Sequence, residues 1–195
     1  LRRQRDRAKL FFEYEKDTKD GSAIKNEWSI RNSYDYFPEK QWNLGMTVPK
    51  WFYGGTLVAQ SDQFADLTLR LIAGPHIGYQ FYEGHEKNLL LQTGIARVHE
   101  EFQNDPSNNF WGWAWHIDYD QYLLQDVVQF YHRQVGVYGV RGANKTLWTS
   151  WTGLRLPLWS GLIASTEMQV EYDSEPATDA DTTDTTFRFK LGYRW

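Results

Sequence analysis

Cysteine is absent from the 195 residues, so neither a disulfide framework nor a thiolate metal site exists in this sequence. The absence suits a protein that passes unfolded through an oxidising bacterial periplasm, and it is equally compatible with a reducing cytosol. Long apolar runs are missing too. Charged or polar residues interrupt every segment before it reaches the roughly 18 apolar residues of a membrane helix, which excludes a helical span. Charge of one sign is scarce: 21 Lys and Arg against 25 Asp and Glu leave a net charge of -4, which gives no reason to expect nucleic acid. The one basic run, Arg2, Arg3, Arg5 and Arg7, is too local to alter this. No secretory leader precedes Leu1, and residues 1–5 read as the end of a strand before a turn at Asp6, as expected of a chain whose opening strands lie upstream.

What the sequence has in excess is aromatic: ten Trp, twelve Tyr and eleven Phe, 17% of the chain. A soluble domain keeps so many rings from its surface with difficulty, whereas interfacial membrane belts use them. The mean hydropathy of -0.65 does not oppose this, because a membrane barrel turns only alternate residues toward lipid.

Period-2 alternation, the mark of a strand with one apolar face, runs through about ten segments. Residues 8–16 set Leu10, Phe12 and Tyr14 against Lys9, Glu13 and Glu15, and residues 27–36 set Trp28, Ile30, Tyr34 and Tyr36 against Glu27, Arg31 and Asp35. A tight turn at Phe37-Pro-Glu-Lys leads to a third strand over 42–48, with Trp42, Leu44, Met46 and Val48 on one face. A longer connection through Gly54 and Gly55 leads to a fourth over 66–81, where Pro75 predicts a bulge or a broken ladder bond. Residues 88–101 and 127–137 read as strands of unclear phase. The clearest alternation is Trp111, Trp113, Trp115, Ile117 and Tyr119 against Gly112, Ala114, His116, Asp118 and Asp120. Residues 151–158, 162–173 and 187–195 complete the ten. Short turns at 37–41, 83–87 and 160–161 alternate with longer loops at 17–25 and 174–184, predicting short periplasmic turns on one rim and longer extracellular loops on the other.

The pattern predicts an all-β, antiparallel, up-and-down transmembrane β-barrel forming one domain over 1–195. A soluble lipocalin-like barrel binding a small apolar ligand has the same periodicity with the faces reversed. Three features favour lipid outside. The Trp111, Trp113 and Trp115 row would crowd a narrow interior with indole N–H groups that need partners. The polar faces carry Gly45, Gly74, Gly78, Gly94, Gly112 and Gly153, as a crowded lumen rewards. The chain also ends on an amphipathic strand closed by an aromatic, Trp195, which resembles the signal by which outer-membrane proteins are presented to their assembly machinery. The expected lipid-facing girdle is Trp28, Trp42, Trp111, Trp113, Trp115, Tyr193 and Trp195. The expected lumen charge network is Arg31, Asp66, Arg70, His76, Arg155, Glu167, Glu171, Arg188 and Lys190.

Several blocks together resemble the salt-induced outer-membrane protein family, bacterial proteins without an established biochemical role: Tyr34-Asp-Tyr-Phe, Phe64-Ala-Asp-Leu-Thr-Leu-Arg70, Gly74-Pro-His-Ile-Gly-Tyr-Gln-Phe81, and Tyr172-Asp-Ser-Glu-Pro176 followed by Asp184-Thr-Thr. The resemblance implies the bacterial outer membrane as address and about twelve strands in the intact protein, two of them upstream. It supplies no catalytic motif. Within its blocks Asp66 and Arg70, four residues apart, are expected on one face and in the lumen, paired with each other or with neighbouring strands.

Phosphate loops, zinc spacings and a Gly-x-Ser-x-Gly elbow are absent, so no cofactor or metal is expected. His116 with Asp118 and Asp120 lies near the short-turn rim, and His99, Glu100 and Glu101 near the long-loop rim. Neither group has a convincing partner set: His116, Asp118 and Asp120 share a face but climb toward the periplasmic rim, the wrong end for surface proteolysis or lipid chemistry, and His99, Glu100 and Glu101 are adjacent on a strand and point apart. The acidic stretch Asp173, Glu175, Asp179, Asp181 and Asp184 reads as a solvated loop, with divalent-cation binding as the alternative. The expected function is therefore a non-enzymatic envelope-structural barrel or narrow passive pore. An enzyme acting on lipid or peptide at the rim is the competing reading.

Overall fold

The computed structural model describes residues 5–19, 22–38, 50–124, 127–159, 161–177 and 181–193. They form β1 (Asp6–Lys19), β2 (Ser22–Tyr36), β3 (Lys50–Asp62), β4 (Leu67–Glu83), β5 (Lys87–Phe102), β6 (Asn108–Leu123), β7 (Val128–Arg141), β8 (Thr146–Pro157), β9 (Leu162–Asp173) and β10 (Thr183–Tyr193). Each strand pairs antiparallel with the next, giving one ten-stranded up-and-down sheet in chain order. No helix is long and apolar enough to cross a membrane.

The sheet curls, and side chains reaching across it identify the concave face. Lys9 on β1 meets Asp118 on β6 at 3.3 Å, Arg7 on β1 donates to Gln80 on β4 at 2.9 Å, and Arg70 on β4 meets Asp173 on β9 at 2.8 Å. Strands this far apart in the sheet touch only on its inner side. Arg188 on β10 also ion-pairs with Glu15 on β1, so the two edge strands lie within reach of one arginine and one glutamate. Among the described residues, however, the backbones of β1 and β10 are not hydrogen-bonded to each other.

The convex face carries the apolar set. Leu10 is 70% exposed, Phe12 68% and Phe189 86%, with Ile30, Tyr53, Leu57, Ile77, Ile95, Trp113 and Phe187 also exposed. The concave face is mixed. Beside its charges it holds a buried apolar cluster of Ala96, Val98, Phe110, Val137 and Leu147, and a second of Phe37, Phe52 and Leu90. Gly78 makes room for the second, since a Cβ there would stand 2.1 Å from the Phe52 ring.

Several expectations are corrected. The third strand is β3, in the stretch read as a connection, and it runs through Gly54 and Gly55; the strand expected over 42–48, with Trp42, lies outside the described residues. Asp6 opens β1, paired with Tyr36, where a turn was expected. Residues 17–25 do not form a long loop: β1 extends to Lys19 and β2 begins at Ser22. We call the rim carrying the β1–β2, β3–β4, β5–β6, β7–β8 and β9–β10 connections the upper rim, and the other the lower. At Pro75 the β4–β5 ladder lapses between Ala73↔Arg97 and His76↔Gly94 and resumes in the same register, a broken ladder bond without a bulge.

Candidate functional site: the charged interior

A cavity of about 520 Å³ occupies the upper half of the interior. Its wall runs from Lys9, His76, Gln92, His116 and Arg133 at mid-strand level to Phe64, Phe102 and Ala177 at the upper rim. The lower half is filled. Arg7 packs against the neighbouring rings of Phe37 and Phe52, 5.1 and 4.9 Å from centroids that are themselves 5.2 Å apart, and its Nε donates to Asp35 Oδ2 at 2.7 Å. Asp35 and Gln80 are buried, and Gln80 Nε2 donates to Asn88 Oδ1 at 2.7 Å and to the Tyr82 carbonyl at 2.7 Å. The Arg7 and Asp35 charges at this level are thus paired with each other beside the aromatic rings.

Higher up, four charges close a ring. The Arg70 guanidinium lies 2.6 Å from Glu100 Oε1 and 2.8 Å from Asp173 Oδ2, while Lys145 Nζ lies 3.1 Å from Glu100 Oε2 and 2.9 Å from the same Asp173 oxygen. Glu100 and Lys145 are fully buried, and Asn108 Nδ2 adds a bond to Glu100 Oε2 at 3.3 Å. Two cations and two anions compensate one another, tying β4, β5 and β9 to the turn before β8.

A third group lies beside the open seam. Lys190 Nζ meets Glu167 Oε1 at 2.7 Å and the Tyr131 hydroxyl donates to Glu167 Oε2 at 2.9 Å. Arg188 bonds Gln169 as well as Glu15. Arg31 stacks on the Trp151 ring at 4.2 Å, and Arg155 on the Tyr131 ring at 4.0 Å. Glu171 lines the cavity.

Of the residues expected in the lumen network, the strands put Arg31, Arg70, His76, Arg155, Glu167, Glu171, Arg188 and Lys190 on the concave face. Asp66 is the exception and a correction. It sits in the β3–β4 turn with φ 56°, where its carboxylate accepts Asn104 Nδ2 at 2.6 Å and Asn104 N at 3.1 Å. The left-handed backbone and the register shift between Leu67 and Leu69 put it out of phase with Arg70. On the convex face are Trp28, Trp111, Trp113, Trp115 and Tyr193; Trp195, like Trp42, lies outside the described residues. Lys145 escaped the sequence reading because it belongs to a turn, where no period points it anywhere. Glu100 was in phase with Ala96 and Val98, and that phase was the available signal.

The candidate catalytic sets separate. His99 is convex, bonded to Asn109 and Glu101, whereas Glu100 is concave. His116 and Asp118 share the concave face, with Asp118 held between Lys9 at 3.3 Å and Arg133 at 3.8 Å. A relay not anticipated from sequence links Asp35, His76 and Thr56: His76 Nε2 donates to Asp35 Oδ1 at 2.8 Å, leaving Nδ1 to accept the Thr56 hydroxyl at 3.1 Å. Thr56 sits mid-ladder, paired with Ser33 on one side and Gly74 on the other. Among the described residues no cluster of three or more His, Asp or Glu has metal-binding geometry. Of the acidic stretch, Asp173 belongs to the four-charge ring and Asp181 and Asp184 line the cavity.

Fold and interior together define a class: an antiparallel up-and-down sheet of ten strands, curled around compensated charges and apolar outside. Within that class, a family model described as "Protein of unknown function, DUF481" matches residues 2–195, and the chain belongs to that family. The salt-induced name suggested by the sequence blocks is carried by no comparison. No curated protein and no solved structure matches.

Proposed function

We propose that this chain is a bacterial outer-membrane β-barrel without enzymatic activity, an envelope-structural element whose lumen is closed at the lower end. The observation that carries the reading is the convex face, where large apolar side chains stand exposed from β1 to β10 while the ion pairs of Lys9, Arg70, Asp118 and Glu167 turn inward. A soluble lipocalin-like barrel needs the reverse polarity. Strand lengths of 11 to 17 residues suffice for the roughly 9–11 residues of a tilted membrane strand. Aromatics gather toward both ends of this face, Trp28, Trp111 and Trp148 above, Tyr53, Tyr119 and Tyr193 below, as two interfacial belts require. Three convex polar side chains are satisfied within the protein: Trp113 Nε1 donates to Thr93 Oγ1 at 2.5 Å, Trp115 Nε1 to Gln134 Oε1 at 3.3 Å, and His132 pairs with Thr152 at 2.8 Å.

Unpaired strand edges are untenable in hydrocarbon, so the seam between β1 and β10 is closed in the membrane by further strands, about twelve in all. The C-terminal sequence that includes β10 and ends Tyr193-Arg-Trp195 is the element offered to the outer-membrane assembly machinery. The test is dilution of urea-unfolded full-length protein into preformed phospholipid vesicles. Co-flotation with lipid, together with a gel mobility that changes on boiling, is the expected result. Folding to a monomer that stays in the aqueous fraction would end the membrane reading.

A further inference from the structure

Of the interior arginines, Arg31 and Arg155 stack on aromatic rings, and Arg7, Arg70, Arg133 and Arg188 each have a carboxylate within 4 Å. Two arginines on the outside do not. Arg97 on β5 and Arg141 on β7 are the direct cross-strand partners of Trp111 on β6, one on either side. Both are exposed, and among the described residues neither forms an ion pair. The Arg97 guanidinium lies 5.6 Å from the centroid of the Trp111 ring, and its Nη2 is 3.4 Å from Asn109 Oδ1. His99 shares that Asn109 oxygen at 2.9 Å and holds Glu101 on its other nitrogen at 3.0 Å. The outward carboxylate of Glu101 is thus engaged by the histidine.

The position of this cluster matters as much as its charge. One step toward the lower rim, the same three strands present Ile95, Trp113 and Tyr138, exposed by 58, 51 and 47%. The arginines thus stand at the border where the apolar convex face gives way to the upper rim, the depth at which Trp marks a lipid interface. A cation at that border has hydrocarbon below it and headgroups beside it, and a guanidinium pairs with a phosphate through parallel N–H bonds.

We propose that Arg97 and Arg141, set either side of Trp111, form a binding site for the phosphate headgroup of an anionic lipid in the leaflet that surrounds the upper rim. Trp111 supplies the apolar platform for the headgroup–acyl junction and orients Arg97 by stacking. This site rests on the membrane-barrel reading, and its test separates the two.

Full-length protein is folded into phosphatidylcholine vesicles containing a fixed fraction of brominated lipid, either phosphatidylglycerol or phosphatidylcholine. The fluorescence lost through Trp111 is isolated by comparison with Trp111→Phe. Enrichment of roughly five-fold for each arginine is expected for the anionic lipid, read as stronger quenching of Trp111 by brominated phosphatidylglycerol and weakened by raising salt. R97Q and R141Q, singly and together, are expected to abolish the difference without altering insertion, and R97K to keep part of it. Equal quenching of Trp111 by the two lipids overturns the headgroup site while leaving the barrel standing. A difference that survives the double substitution overturns the assignment to these arginines. Absence of quenching by either lipid overturns the membrane reading and this site with it.

Discussion

Two carboxylates, Glu100 and Asp173, are shared by two cations, Arg70 and Lys145, in a ring whose Glu100 and Lys145 members are fully buried. Removing one member of such a set leaves the others desolvated and uncompensated, whereas removing opposite charges together does not. Glu100→Ala is therefore expected to cost roughly 3–5 kcal/mol, and Glu100→Leu combined with Lys145→Met less than the sum of the two single changes. The midpoint of urea unfolding from lipid, with each variant and the double, measures this. Additive losses would mean that Glu100 and Lys145 are not coupled. Part of this ring was legible in the sequence: Arg70 fell on a polar face by simple alternation. Its partner did not follow, because Asp66, the carboxylate nearest in sequence, is turned away by a left-handed backbone, and Lys145 lies where no strand periodicity reaches.

At the scale of elements, β3 separates what alternation can and cannot reveal. Strands with strong aliphatic or aromatic contrast, such as β6 with its tryptophans, declare their phase. Gly54-Gly55 reads as a turn, since paired glycines are ordinarily loop punctuation. Here Gly54 is a packing requirement: a Cβ at that position would stand 1.8 Å from the Tyr34 carbonyl oxygen and 2.9 Å from His76 Nε2. Beyond the glycines, Tyr53, Leu57 and Ala59 alternate with Phe52, Thr56 and Val58, an alternation masked by the break in side chains. The expected alternation can be read directly, because the protein has no native cysteine. Single cysteines at positions 53, 57 and 59, labelled with an environment-sensitive dye, are expected to be quenched by brominated lipid, and those at 56 and 58 to be spared. A smooth gradient along positions 53–59, without alternation, would show that β3 does not face lipid as a strand.

For the whole molecule, the decisive feature is that aromatic rings and paired charges pack into the interior below its cavity. From sequence, a mixed-charge lumen was compatible with a narrow pore. Alternation assigns faces but not the volume of what fills them, and so it did not disclose that Phe37, Phe52 and Leu90 pack together across the lower half. Below the cavity of about 520 Å³ stand Arg7, packed against two rings, and the Asp35–His76 pair. In planar bilayers, the full-length protein is accordingly expected to insert without discrete conductance steps. Phe37→Ala together with Phe52→Ala removes the rings but not the charges, and any variant retaining boiling-dependent mobility is expected to conduct. The sign of the carriers follows from the mouth: Glu171 and Asp184 are direct cross-strand partners, like charges held opposite each other, and Asp181 lines the same opening. Such a vestibule concentrates cations, so the opened variant is expected to favour potassium over chloride, with the preference reduced by Asp184→Asn and by high salt. Steps in the unmodified protein would instead make it a pore, and an anion preference in the opened variant would place the controlling charge deeper, at the level of Lys9, Arg31 and Arg133.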